Sequence, residues 1–333
     1  MANPQRSDVH VDTPLTAISV AYMQDPAGFV ADRVFPNVPV QKQSDRYFVY
    51  SRADFNRDTM AKRAIGAESA GDGFRLDNTP TYFAEPYALH HDIDDQIRSN
   101  ADGPLDLDRD VTNFLSQKAL LNKENSFVSN FFTTGVWTGA NVDVTGVSAS
   151  PAGNTALQWN DSNSTPIEDV RLYGDTVQGK TGFRPNKLVV GRQVWSKLID
   201  HPDLTDRIKY GTSSAVNPAI VTKQAVSMVF ELSEVLVMEG VQNTANEGAT
   251  ESGSFIAGKN ALLVYAAPAP GIMIPTGGYT FSWTGLFGAG PLGQRVMKFR
   301  MEWLKSDRVE LEMAYAMKVI DAKLGVFFSS IVA

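Results

Sequence analysis

The sequence predicts an α+β protein, and three stretches carry that prediction. Residues 106–133 hold one long helical stripe, residues 297–319 alternate like a pair of strands, and Arg184–Tyr210 reads as strand, turn and two helices in succession. None of the three contains a catalytic residue pattern.

The long helix begins where Asp106 and Asp108 can cap it and complement its dipole. Val111, Phe114, Leu121, Val128 and Phe132 form one stripe, widened by Leu115, Phe127 and Phe131, and Gly135 ends it. At about 1.5 Å per residue such a helix is on the order of 40 Å long. Near the C-terminus, Met297, Phe299, Met301 and Trp303 alternate with Lys298, Arg300 and Glu302. Val309, Leu311, Met313, Tyr315, Met317 and Val319 continue the pattern beyond a Lys305-Ser306-Asp307 loop. An antiparallel hairpin with Leu304 facing Arg308 would merge the two apolar faces, with Arg300 opposite Glu312 and Glu302 opposite Glu310.

In the third stretch Pro185-Asn186 makes a turn, Leu188, Val189 and Val190 suit a buried strand, and Gly191 breaks it. Val194, Trp195, Leu198 and Ile199 follow at helical spacing as core residues, until His201-Pro202 ends the helix. Asp203 can cap a second short helix through Ile208.

The rest is read more coarsely. Residues 1 to about 40 form an irregular arm punctuated by five prolines. Strand character at Arg46–Ser51 and at Thr79–Leu89 brackets a long polar excursion, which reads as an extended hairpin projecting from the body. A loop of that length with no core of its own makes sense lying on another subunit. Residues 135–164 read as a surface loop, Thr165-Pro166 opens a helix to about Gln178, and a further helix covers Thr222–Phe230. Strands are expected at 234–241 and 261–266, with a polar loop at 242–254.

Composition excludes several functions. A net charge of −7, from 37 acidic and 30 basic residues, argues against a dedicated nucleic-acid binder, though not against a container around nucleic acid. With no cysteine, the chain has no disulfides, thiolate metal sites or cysteine nucleophile. The uncharged stretch Asn260–Gln294 is broken by four prolines and seven glycines, so it reads as a neutral surface inside or between subunits, not as a membrane span.

Candidate chemistry is thin. Gly288-Ala-Gly290-Pro-Leu-Gly293 matches a dinucleotide fingerprint, but a strand pattern follows where a helix is required, so a glycine-rich loop is the simpler reading. On a strand, His90, Asp92 and Asp94 share one face and can bind a cation or simply form a polar surface. His201 is isolated in sequence. We therefore assign no catalytic, cofactor or metal residue.

These parts converge on a family. The order of arm, long loop, long helix, Arg184-Pro-Asn-Lys-Leu-Val-Val-Gly-Arg-Gln-Val-Trp195 unit and C-terminal hairpin resembles the major capsid proteins of tailed bacteriophages. Val34-Phe35-Pro36-Asn37-Val38-Pro39-Val40 and Asp203-Leu204-Thr205-Asp206-Arg207-Ile208-Lys209-Tyr210 add to the resemblance. It implies the Hong Kong 97 type capsid fold: an N-terminal arm at 1–40 and an extended loop at 41–90. A peripheral domain would take 91–165 and 291–312, with the spine helix at about 106–133. An axial domain would take 166–290 and 313–333, with strands at 187–190, 234–241, 261–266 and 313–321.

The resemblance implies hexamers and pentamers tiling an icosahedral shell around double-stranded DNA, bound without sequence specificity, in a virion assembled in the bacterial cytoplasm. A portal belongs with such a shell, and a decoration protein can bind outside it. With about 40 residues before the loop, a separate scaffolding protein is expected. Inter-subunit contact candidates are Lys62, Arg63, Lys305 and Asp307, although Lys62 and Arg63 read equally well as solvated. Some relatives join a loop lysine to an asparagine on a neighbour's hairpin. Residues 291–321 contain no asparagine, so no covalent cross-link is expected. Alternatives are an encapsulin-like nanocompartment shell, or a tail or decoration protein.

Overall fold

The computed structural model describes residues 23–101, 105–211, 221–287 and 293–333. Most of the expected arm and most of the Gly288–Gly293 run therefore lie outside the described residues.

The spine helix runs from Leu107 to Phe131, and its Asp106 cap accepts the Arg109 N–H at 3.1 Å. Its buried line is Leu115, Ala119, Phe127 and Phe131, whereas Phe114 is exposed and packs edge-on to His91. The stripe is thus rotated from the one expected, because Lys123 and Glu124 are buried in the middle of the inward face. At its C-terminal end the buried Trp137 indole N–H donates to the Phe131 carbonyl at 2.7 Å, satisfying a carbonyl with no partner in the helix.

The helix packs on a five-stranded sheet organised around the strand Ser306–Val319. Glu85–Asp94 runs antiparallel along one side of that strand, while Gln294–Met301 and Gly278–Trp283 share the other. Asn37–Val40 adds a parallel edge beyond Gly278–Trp283. Val309, Leu311, Met313, Tyr315 and Met317 are all buried in the core shared with the helix. Each contributes roughly 1.5–3 kcal/mol by leaving water.

The hairpin itself is in a different register from the one expected. A helical turn at Glu302–Leu304 and a left-handed Lys305 (φ 49°) close it, so Met301 faces Ser306 and Arg300 faces Asp307. The offset from the expected pairing is an odd number of residues, which reverses the faces. Met297 and Phe299 now oppose Glu310 and Arg308, while Val296 and Lys298 oppose Leu311 and Val309. Arg295, not Arg300, meets Glu312, at 2.7 Å.

A second, six-stranded sheet has the order Glu234–Met238, Lys187–Gly191, Ala261–Val264, Gly325–Ser329, Val144–Val147, Thr155–Leu157. Helix Pro166–Thr181, ended by left-handed Gly182, and helix Arg192–Leu198 pack into its core with Trp195. Helix Lys223–Val229 starts from its Thr222 cap as expected. Asn186 ties the sheet's start by donating to the Ala266 carbonyl at 2.7 Å and accepting its N–H at 2.9 Å.

Several expectations need correction. The strand expected at 313–321 beside 187–190, 234–241 and 261–266 instead belongs to the five-stranded sheet as far as Val319, and Gly325–Ser329 is the C-terminal strand of the other sheet. Residues 135–164 are not only surface loop: they supply two strands and the buried Trp137 and Trp159. The polar loop at 242–254 is bracketed by a small hairpin of Val241–Asn243 with Gly253–Phe255. Asp203 does not cap its own helix; its carboxylate accepts the Ile167 N–H at the start of the helix Pro166–Thr181, at 3.3 Å. The helix Pro202–Gly211 starts with proline, and the Asp203 N–H donates to His201 Nδ1 at 3.2 Å.

Two glycines let these layers close. A Cβ on Gly325 would sit 2.3 Å from the Trp137 ring, and one on Gly139 would sit 2.2 Å from the Gly325 carbonyl. Trp137→Ala should lower the unfolding free energy by about 3–5 kcal/mol in a denaturant titration.

Candidate assembly surfaces

Residues 41–84 leave the body as a two-stranded stalk. Ser44–Arg46 pairs with Thr81–Phe83, and Val49–Tyr50 pairs with Leu76–Asp77. At the root, Tyr82 stacks on Phe281 with ring centroids 4.6 Å apart, and Arg52 forms an ion pair with Asp321. These contacts aim the stalk from the five-stranded sheet. Beyond it every residue from Phe55 to Thr79 is exposed.

The loop nonetheless has a defined shape. Tyr50, Phe55 and Phe74 form a triangle of rings 5.7–6.0 Å apart. Arg75 places its guanidinium fork on Asp54, at 3.0 and 3.1 Å, and its own N–H on the same carboxylate. That guanidinium holds the Asp54 carboxyl far below the usual carboxylate range. Thr59 donates to Asp72 at 2.7 Å across the loop. Lys62 and Arg63 lie at the far end, both exposed, beside fully exposed Met60 and Ile65. The Arg63 Nε donates to the Ala67 carbonyl at 2.6 Å.

The hairpin tip is the second surface. Trp303 is 79% exposed and Leu304 47%, with Lys305 exposed next to them. Asp307 is engaged within its own chain: it pairs with Arg98, Lys298 and Arg300, at 3.2, 3.8 and 3.2 Å, and accepts a hydrogen bond from Arg300. Arg98 and Lys298 also grip Asp108 at the head of the spine helix and depress its carboxyl to about 2. Arg300 reaches Asp95 as well. The acids and bases thus pin the hairpin tip to the helix start. Lys62 and Arg63 share one surface, Lys305 and Asp307 the other.

His90, Asp92 and Asp94 do not converge: Asp92 pairs with Arg308 at 2.7 Å, Asp94 caps the helix Asp95–Asn100, and His90 faces Glu310. Among the described residues no group of three metal-binding side chains comes together, and no helix is long and apolar enough to cross a membrane. Gly293 leads directly into strand Gln294–Met301, so no helix N-terminus follows the glycine run.

His201 is less isolated than its sequence position implies, since buried Ser164 lies 2.9 Å from its Nε2. Because Nδ1 accepts the Asp203 N–H, the proton resides on Nε2. The nitrogen facing Ser164 therefore cannot take its proton, and the pair is a structural tie. Ser164 and His201 stand 37 residues apart, and Glu124 stands 93 from Ala31, so neither contact shows in a local sequence pattern.

Projecting loop, spine helix and paired sheets make up the Hong Kong 97 type fold. The chain is similar to phage major capsid proteins. A family model described as phage major capsid protein E matches residues 146–277. The major capsid protein of Pseudomonas phage JBD67 is 25% identical over 97% of both chains. That of Burkholderia phage BcepMu is 23% identical over 77% of this chain and 76% of its own. A phage-related protein from Bordetella bronchiseptica superposes with a TM-score of 0.66 at 20% identity, covering 96% of this chain and 97% of the other. The capsid of cyanophage P-SCSP1u gives 0.62 at 8% identity, covering 97% and 93%. The SrpI encapsulin of Synechococcus elongatus gives 0.55 at 12%, covering 96% and 95%.

Asp54→Asn removes the ionic partner of Arg75 without touching the body. Limited proteolysis should then cut faster between residues 56 and 74, while the thermal midpoint of the body stays unchanged.

Proposed function

We propose that the chain is the major capsid protein of a tailed-phage head, assembling with copies of itself as hexamers and pentamers into an icosahedral shell around double-stranded DNA. The observation that carries this reading is the loop. Residues 55–79 are shaped by their own contacts and bury nothing against their own body, so their exposed apolar side chains are available to a neighbour. In this reading Lys62 and Arg63 contact an adjacent subunit, and Trp303, Leu304 and Lys305 form a further contact at the hairpin tip. Asp307 shapes that tip from within.

We read the five-stranded layer with the spine helix as the peripheral domain and the six-stranded layer as the axial domain. The role is structural, without catalysis, and places the chain in the virion, with packaged DNA held without sequence readout. A separate scaffolding protein and a portal belong to the same proposal, and a decoration protein has room outside. The likeness to an encapsulin keeps a nanocompartment shell as the second reading. Particle contents separate the two: nucleic acid inside supports the head, and a protein cargo supports the compartment.

Electron microscopy of the expressed chain, alone and with a candidate scaffold, should reveal hexamers or closed shells; a stable featureless monomer under both conditions would sink the proposal. Purified particles should run as a single monomer band on denaturing electrophoresis. A ladder of covalent multimers would contradict the absence of cross-linking.

A further inference from the structure

Residues 24–40 cross both sheets before the projecting loop begins. The Gln24 side chain donates to the Val241 carbonyl at 2.6 Å and accepts the Val241 N–H at 2.8 Å. The Glu239 N–H donates to the Gly28 carbonyl at 3.0 Å. The segment thereby borders Glu234–Met238, the outermost strand of the six-stranded sheet. A few residues later Asn37–Val40 is itself the outermost strand of the five-stranded sheet.

Between these attachments lies one helical turn, Ala31–Val34, gripped at both ends. Glu124 of the spine helix, fully buried, accepts the Val30 N–H at 3.1 Å and the Ala31 N–H at 2.9 Å. Lys187 of the six-stranded sheet donates to the Arg33 and Val34 carbonyls at 2.6 and 3.0 Å. Lys123 pairs with Asp32 at 3.0 Å, and Arg33 with Glu234 at 2.6 Å. An acid thus holds the first N–H groups of the turn and a base its last carbonyls. They come from different layers of the molecule.

We propose that residues 24–40 form a proton-sensitive strap between the two sheets, tight while Glu124 is protonated and looser once it ionises. The neighbouring ammonium of Lys123 is engaged by Asp32, leaving the buried carboxyl with two backbone donors. Burial raises it to about 7 despite those donors, and the Asp32 carboxylate pushes the same way. The other charged and titratable groups around the strap are Arg33, Lys187, Glu234, Glu239 and Tyr315. None is a histidine. Burial raises Tyr315 and lowers Lys187.

The sign follows from linkage. In a detached strap Glu124 would titrate near its ordinary value of 4.5, whereas the attached form keeps its proton to about 7. Attachment is therefore strongest below about 4.5, weakens as pH rises through the interval, and levels off above about 7. The opening constant can change by up to about tenfold per pH unit in that window.

Hydrogen exchange of the full chain, read by mass spectrometry between pH 5 and 8, tests this. After correction for intrinsic exchange, protection of a peptide spanning residues 28–36 should fall between about pH 5 and 7. A peptide covering Lys187–Gly191 should not follow it. Glu124→Gln should flatten the profile. A flat wild-type profile, or an equal slope in Glu124→Gln, would overturn the proposal. The wild-type profile decides alone if the variant does not fold. Shell assembly is not involved in either outcome.

Discussion

Everything in this fold hangs on one strand finding one helix. Val309, Leu311, Met313, Tyr315 and Met317 make one apolar face of Ser306–Val319, and Leu107–Phe131 packs on it. Once that face is down, the strand's two edges are the only places left for backbone pairing, and three other strands take them. The strand that follows the projecting loop, the other arm of the hairpin and the strand Gly278–Trp283 of the uncharged stretch are therefore all hydrogen-bonded to the same fourteen residues. A change in the helix-to-strand packing would move all of them together.

The six-stranded layer solves a different problem. Its central strands are covered on both faces, so Leu188–Val190 and Ala261–Val264 read as continuous apolar runs. Two indoles fasten it to its surroundings. Trp137 lies over Gly325 and bonds back to the end of the spine helix, and Trp159 donates to the half-buried Asp169 at 2.9 Å. Burial raises the Asp169 carboxyl, which is the cost of using an acid as that acceptor.

Periodic elements were legible in the sequence because periodicity is a local property. The spine helix, the alternation from Val309 to Val319 and the Arg184–Tyr210 unit each announce themselves within their own residues. What failed was non-local. Gly325–Ser329 is too short to show alternation, and Val144–Val147 hides in a polar stretch because it lies towards the sheet's edge. The hairpin register turned on whether Glu302–Leu304 continues the strand or coils, and hydrophobic pattern cannot tell a turn of helix from two more strand residues. Lys62, Arg63 and Lys305 are exposed, as their charge suggests, whereas the three basic partners of Asp307 come from strand pairing and from a helix some two hundred residues earlier, which no local pattern shows. Glu124 gave no signal, because its partners are backbone amides.

The loop's charges have a consequence at long range. Between Arg52 and Asp77 it carries five basic and five acidic side chains, so the whole net charge of −7 belongs to the remainder of the chain. Two such bodies repel each other at distances comparable to the Debye length, about 8–10 Å at ordinary ionic strength. A neutral arm extending beyond the body feels little of that repulsion. The molecule thus presents its least repelled part furthest out, and encounters between copies are biased toward arm-first approach before any contact is made.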